Sequence, residues 1–278
     1  MCIISIMIKK TLKKIPPYKR VVAYQNSLLL EMDELRKAVV QYQKNEKSHQ
    51  QIFGNPRELL SKRYLGGKGI EIGAAHQPLK VTPTTHVKYV DIASTPDLRI
   101  LWPEIAKLDI VDVDIVDNGE MLKTFKKSSL DFIIANHFIE HCLDPIGTIL
   151  NFYRVLKPHG VIYLAVPDKR RTFDKDRPLT TYNHLLEEHK GSKSFQEEHT
   201  LEYVKLAEKV KGKVKAQNRA NVLIKSDYRI HFHVWTQAEF IELIQSMAKD
   251  FSVLIEIEAM VQSNNEFILI IRKSQKAK

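Results

Sequence analysis

The chain has 278 residues, 44% of them hydrophobic and 27% charged, with a formal net charge of +10. That is ordinary globular composition, enough for one large domain with appendages. Its two cysteines, Cys2 and Cys142, exclude a disulfide framework and make a reducing cytosol the expected compartment. No stretch approaches the ~20 apolar residues of a membrane span. Residues 1–8 are apolar but few, and their basic residues follow rather than precede them, the reverse of a secretory signal. Six of the ten net charges lie in residues 1–20, as Lys9, Lys10, Lys13, Lys14, Lys19 and Arg20 with no acid among them. A protein that clamps nucleic acid along its whole surface is therefore not expected. The basic tail reads as a solvated segment or as a peripheral contact with an anionic membrane or another polyanion. The second reading would set the protein at the inner membrane face.

Pro16-Pro17 breaks the tail. Leu28, Met32, Leu35, Val39 and Tyr42 then recur at heptad spacing. The stripe lasts about two heptads, short of the three or four of a coiled coil. Packing onto the body and dimerisation both stay open, and so do monomer and homodimer. Residues 45–51 read as a polar linker. Residues 1–52 are thus an appendage, and 53–278 the main domain.

From there, helices and strands alternate. Pro56–Tyr64 predicts a helix, 69–72 a first strand and 87–90 a second. Residues 110–116 predict a third, and 130–135 (LDFIIA) a fourth buried on both faces. Asp144-Pro145 opens a helix with an Asp N-cap and Pro at the first helical position. Residues 157–160 end it before a fifth strand at 161–166. Thr236 and Glu239 form a capping-box pattern, with Trp235 and Phe240 as a hydrophobic staple, for a helix reaching about Lys249. Residues 252–261 and 266–271 predict an antiparallel pair. The sum is an α/β fold with a doubly wound, seven-stranded, mostly parallel sheet. The connection after the fifth strand far exceeds the usual span of about 2–6 residues. Its stretch 196–215 looks helical, so 168–235 reads as a helical insert serving as a substrate lid.

The segment 68–91, KGIEIGAAHQPLKVTPTTHVKYVD, carries the most chemistry. It puts Glu71 and Gly73 at the carboxyl end of the first strand and Asp91 at the end of the second, 18 residues after Gly73. Ligands bind outside the carboxyl ends of parallel strands, where a turn of small residues admits close backbone approach. An acid about 20 residues on can hold both hydroxyls of a ribose. A nucleoside-bearing cofactor follows. GAAHQP lacks the G-x-G-x-x-G of a dehydrogenase, which argues against nicotinamide dinucleotide.

Five ordered segments make the pattern specific: GIEIGAAHQPL, YVDIAS, DIVDNGEML, SLDFIIANHFIEHCLDP and LNFYRVLKPHGVIYLAVPD. Together they resemble the class I S-adenosylmethionine-dependent methyltransferases. More closely, they resemble the small-molecule and glycan-associated, type 11-like branch with ExGxxxxPL in place of a glycine-rich loop. The resemblance covers roughly residues 60–275. It implies a Rossmann-like fold, S-adenosylmethionine as cofactor, and methyl transfer to a small-molecule or glycan-precursor acceptor, at oxygen. It also implies Glu71, Gly73 and Ala74 at the cofactor's amino-acid end and Asp91 with Ile92 at the ribose. Asp117 and Asn118 would approach the adenine, and Asn136 and His137 the methionine portion. Ala74, Ala75 and His76 depart from the family's two or three glycines. Alanine resists positive φ, so weaker cofactor binding or another loop path is expected.

Methyl transfer to a hydroxyl needs alignment, which supplies about 7–11 kcal/mol. It gains a further ~10²–10⁴-fold from a general base. The candidates are His137 and His141 of HFIEH, and Asp168 after the fifth strand. Arg170, Arg171 and Arg177 suit a carboxylate or phosphate. Residues 231–235 close the insert, with Trp235 suited to stacking on a sugar. HFIEH also matches the H-x-x-E-H of zinc hydrolases. A zinc site wants both histidines on a long helix and a third ligand, whereas this motif has about one turn, so no metal is expected. The off-pattern loop also suits a catalytically inactive partner module with the same fold. An RNA methyltransferase fits the basic tail, but the chain lacks a recognisable RNA-binding module.

Overall fold

The structure, a computed structural model, describes residues 54–191 and 195–275 together with Met32, Glu34 and Lys37. The chain divides into two units, Met1–Asn55 and Pro56–Lys278. In the first, Met32, Glu34 and Lys37 are helical and exposed. The basic tail, the linker and the rest of the heptad stripe lie outside the described residues.

The second unit is built on a seven-stranded sheet in the order β3-β2-β1-β4-β5-β7-β6. The parallel strands are β1 (Lys68–Ile72), β2 (His86–Asp91), β3 (Ile115–Val116), β4 (Leu130–Asn136) and β5 (Leu156–Pro167). β7 (Glu266–Lys273) runs against both β5 and β6 (Ile255–Ser263). The winding direction reverses between β1 and β4, the switch point where an open sheet leaves a crevice at its carboxyl edge. The two strands approach closely there. A Cβ on Gly69 would stand 2.4 Å from the Phe132 carbonyl and side chain.

The sheet is covered on both faces, as the apolar runs of β4 and β5 require. On one side α3 (Pro145–Val155) and α7 (Gln237–Asp250) bury Ile146, Ile149, Phe152, Phe240, Leu243 and Ile244 against Ile133, Ile162 and Leu269. On the other, α1 (Pro56–Tyr64) packs Leu60 and Tyr64 against Phe132, Tyr163 and Ile268. α2 (Thr95–Leu101) follows β2. The predicted caps form. Asp144 accepts from the Gly147 N–H at 2.8 Å. Glu239 accepts from the Thr236 N–H at 3.1 Å, and Trp235 meets Phe240 with ring centroids 5.2 Å apart.

Three elements differ from expectation. The third strand keeps only Ile115–Val116. Upstream, the Asp114 carboxylate takes the Tyr89 N–H at 2.8 Å, and the Val111 N–H goes to the Ala75 carbonyl, so side-chain and loop bonds replace the ladder. Residues 157–160 are not a turn outside the sheet but a bulge within β5, whose pairing jumps from Leu130↔Leu156 to Phe132↔Val161. The helix expected over 196–215 is two, α5 (Gln196–Leu206) and α6 (Lys213–Lys225). Between them Lys209 and Gly212 adopt φ of 57° and 92°, left-handed values that end one helix before the next begins.

The insert after β5 contains two 3₁₀ turns, Lys169–Arg171 and Phe173–Asp176, then α4 (Tyr182–His189), α5 and α6. It has a core of its own, in which Val204, Ala216, Ala220, Leu223, Ile230 and Phe232 are buried together.

Candidate active site

The β1–β2 edge is shaped from the backbone outward. Gly73 and Ala75 hold φ of 66° and 45°, so the loop keeps a glycine-like path although one position carries a methyl group. The Gly73 N–H donates to the Val90 carbonyl at 3.0 Å, and a Cβ on Gly73 would meet nothing within 4 Å. Glu71 is buried beneath this loop. Its two oxygens each lie 3.0 Å from the Leu79 N–H, and Asn136 Nδ2 donates to one of them at 3.3 Å. Burial pushes the Glu71 carboxyl up to about 7 against the opposing pull of Leu79, Asn136 and Arg57. Asn136 Oδ1 is buried with no donor among the described residues.

Asp91 ends β2 in a half-buried position and accepts from the Ile92 N–H at 2.8 Å. Burial raises its pKa, and that one backbone bond offsets the rise only in part. Asp117 and Asn118 are used differently. One Asp117 oxygen accepts from both the Thr124 N–H and its hydroxyl. Asn118 Oδ1 accepts from the Glu120 N–H at 2.8 Å and the Met121 N–H at 3.2 Å. Both side chains therefore shape the turn after β3.

His137 follows β4 with φ of 49°. Its Nε2 lies 2.6 Å from Glu266 Oε2, and its Nδ1 lies 3.6 Å from Glu140 Oε1. Burial lowers the His137 pKa, but the Glu266 hydrogen bond and the two carboxylate charges outweigh it and leave it raised. Glu266 also takes Arg57 in a two-point pair at 2.7 and 2.5 Å. Sequence reasoning missed Glu266, which lies 129 positions from His137. β7 starts where β5 ends, pairing Glu266 with Pro167, and that delivers the side chain to the carboxyl edge.

His141 closes a 3₁₀ turn, Ile139–His141. Its Nδ1 lies 2.8 Å from the Ile230 carbonyl, which can only accept, so Nδ1 carries the proton. Burial lowers its pKa. The neutral ring then keeps a lone pair on Nε2. HFIEH is thus one turn, too short for a two-histidine helical zinc motif.

The charged stretch after β5 is consumed internally. Asp168 is buried and takes the Arg170 N–H, Nε and Nη2 at 3.0, 2.9 and 2.6 Å. Burial alone would raise its pKa, but Arg170 holds it low. Arg171 donates to the Asn264 carbonyl at 3.3 Å. Arg177 is only 2% exposed and binds Asp174, Glu202 and the carbonyls of His231 and Phe232. Arg177 thus braces the insert and does not stand free for an acceptor's carboxylate or phosphate, whereas Arg170 and Arg171 are exposed. Trp235 is 1% exposed, packed between His233 and Phe240, so the sugar-stacking role is not open to it.

The family described as "Methyltransferase domain" matches residues 42–206, more than half of the chain. No curated protein matches. Among solved structures, a SAM-dependent methyltransferase from Aquifex aeolicus is similar at 12% identity and a TM-score of 0.42, covering 77% of this chain and 84% of that one. A SAM-dependent methyltransferase from Methanosarcina mazei is similar at 17% identity and 0.43, covering 77% and 96%. The Haloferax volcanii complex of the Trm112 methyltransferase activator with a methyltransferase gives 12% and 0.41, covering 88% and 96%.

Proposed function

The chain belongs to the methyltransferase domain family, and from that premise we propose that it methylates a hydroxyl oxygen of a small-molecule or glycan-precursor acceptor, with His141 as general base. S-adenosylmethionine is the cofactor the family implies, and the residues present fit it. Asp91 offers a half-buried carboxylate that lacks a compensating cation among the described residues. Asn136 Oδ1 is a buried acceptor awaiting a donor, and the Gly73 backbone is open to close approach. Asp91 would hold the ribose hydroxyls. Gly73 and Asn136 would meet the amino-acid end. Glu71 acts one step back, closing the loop onto the sheet through the Leu79 N–H.

Bound, the cofactor supplies an electrophilic methyl group on a sulfonium whose departure leaves a neutral thioether, so the chain need provide no general acid. What remains is to align the acceptor and take its proton. A base must be unprotonated to work. His141, its pKa lowered and its Nδ1–H committed to Ile230, suits that task better than His137, which two carboxylates hold toward the imidazolium. Asp168 is bonded three times to Arg170 and fits a hinge at the lid's base better than a proton acceptor.

The observation that carries the reading is Asp91 itself, an uncompensated carboxylate at the carboxyl edge of the sheet, one strand from the switch point. Calorimetric titration with S-adenosylmethionine tests it. The wild type is expected to bind. Asp91→Ala is expected to weaken binding at least ~10-fold, since hydrogen bonds to a charged group contribute about 1.5–3 kcal/mol each. A wild type that fails to bind sinks the proposal, and an unchanged Asp91→Ala removes Asp91 from the site.

A further inference from the structure

Four metal-binding types of side chain converge inside the lid. α4 presents His184 and Glu188 four residues apart, hence on one face. α5 brings His199 against them, and the segment entering Trp235 brings His233. His184 Nε2 and His199 Nε2 are 3.1 Å apart. Glu188 Oε1 lies 2.8 Å from His199 Nε2 and 3.5 Å from His184 Nε2. Glu188 Oε2 lies 3.5 Å from His233 Nε2. The Glu188, His199 and His233 side chains are 8%, 10% and 1% exposed, and His184 is 29% exposed.

Hydrogen bonding among these groups does not balance. If His199 Nε2 donates to Glu188, it has no lone pair for His184, whose Nε2 at 3.1 Å can then only share that same N–H. Among the described residues, His233 has both ring nitrogens buried without a hydrogen-bond partner, and Glu188 Oε2 is buried without one too. Buried polar groups left unmet lose the hydration they had in the unfolded chain with nothing in return. A metal ion removes the conflict, because it takes lone pairs from all four groups at once. Zinc bonds of about 2.0–2.2 Å in a tetrahedron hold the donor atoms roughly 3.3 Å apart. The separations of 2.8, 3.1 and 3.5 Å, within a set of donor atoms that all lie within 4.8 Å of one another, are near that value and need only a small adjustment to meet an ion. Imidazole with a carboxylate suits zinc and its transition-metal neighbours.

We propose that His184, Glu188, His199 and His233 hold a divalent transition-metal ion, zinc foremost, in a closed structural site that fastens α4, α5 and the segment entering Trp235 into one lid. The low exposure of three of the four ligands leaves little room for a reacting molecule, which separates this site from a catalytic one. The inference stands apart from the methyl-transfer reading, since neither Asp91 nor His141 belongs to the cluster. A second group, Glu140, His141 and His231, is also close enough to hold an ion. There, His141 Nδ1 and His231 Nδ1 are already committed, to Ile230 and Asp174.

Elemental analysis of the full chain, loaded with zinc and dialysed against metal-free buffer, tests the proposal. About one zinc per chain is expected in the wild type and in His141→Ala. Little or none is expected in His184→Ala or His199→Ala. Cobalt(II) in place of zinc should give a tetrahedral visible spectrum that both variants lose. Should His199→Ala fail to fold, His184→Ala decides, because its side chain is the most exposed of the four. A chelator should speed protease cleavage within residues 181–235 in the wild type. A wild type that retains no zinc and shows no cobalt spectrum overturns the site. So does full zinc retention in a folded His184→Ala, or loss confined to His141→Ala.

Discussion

Asp91 at the sheet edge and Asp174 in the lid are both carboxylates drawn away from water, and the fold treats them in opposite ways. Burial pushes both pKa values up. Asp91 meets a single backbone N–H and stays raised, whereas His231 and Arg177 outweigh burial at Asp174 and hold it low. The same contrast runs through the surroundings. Near Asp91 an asparagine oxygen is unmet, a glycine faces open space and a buried glutamate keeps a raised pKa. In the lid, Arg177 satisfies two acids and two carbonyls, and a separate apolar core lies beneath. The edge holds polar capacity that a ligand can complete, whereas around Arg177 the insert has spent its own on itself, and its unmet groups lie apart, in the histidine cluster.

The largest expected effect tests the lid. Arg177→Met removes a cation from between two acids, one of them, Asp174, buried. Breaking a buried pair from one side costs about 3–5 kcal/mol. Urea unfolding should show a loss of that order, with faster proteolysis of residues 168–235 and cofactor binding retained. A loss below about 1 kcal/mol would mean that the lid does not depend on its internal pairing.

Glu71 tests the edge through pH. Its folded pKa of about 7 stands above the ordinary 4.5. Between those values the folded state keeps a proton that the unfolded chain has released, so stability falls as pH rises through the window. The difference amounts to about 3 kcal/mol by linkage. Wild-type stability measured relative to Glu71→Gln should therefore decline from about pH 4.5 to 7 and be level on either side. A flat or rising difference would show that the Leu79 and Asn136 bonds, not burial, set the state of Glu71, and the contrast with the lid would weaken.

The strands and the position of Asp91 were legible because they depend on local rules. A strand shows in its apolar pattern, nearly continuous in β4 and alternating in β2, and an acid at the end of a parallel strand lies at the carboxyl edge wherever the rest of the chain goes. Trp235 with Phe240 and Asp144-Pro145 were legible for the same reason, since caps and staples are settled within five residues. The roles of Arg170, Arg171 and Arg177 were not. Alternating charges read as a surface turned outward, yet Arg177 reaches Glu202 and the carbonyls of His231 and Phe232, partners set by the folding of the insert. Glu266 beside His137 depends on β7 returning antiparallel next to β5. The histidine cluster needs α4, α5 and residue 233 to meet, and HFIEH, the segment that looked like a zinc motif, is a single turn.

The smallest effect lies in the loop itself. Ala75 holds φ of 45°, and its carbonyl receives the Val111 N–H at 2.9 Å, so the left-handed conformation is tied to the neighbouring segment. That conformation costs a side-chain-bearing residue roughly 1–2 kcal/mol, which glycine would avoid. Glycine would also loosen the unfolded chain, which takes back about 0.4–1 kcal/mol. Ala75→Gly should therefore stabilise the protein by roughly 0.5–1 kcal/mol in urea unfolding and leave affinity for S-adenosylmethionine within about threefold, or somewhat tighter. Because the native loop already holds a glycine-like path, its alanines alter the stability of the edge and not its shape. A destabilised Ala75→Gly, or one whose cofactor affinity changes by more than ~10-fold, would show that the methyl group itself shapes the edge.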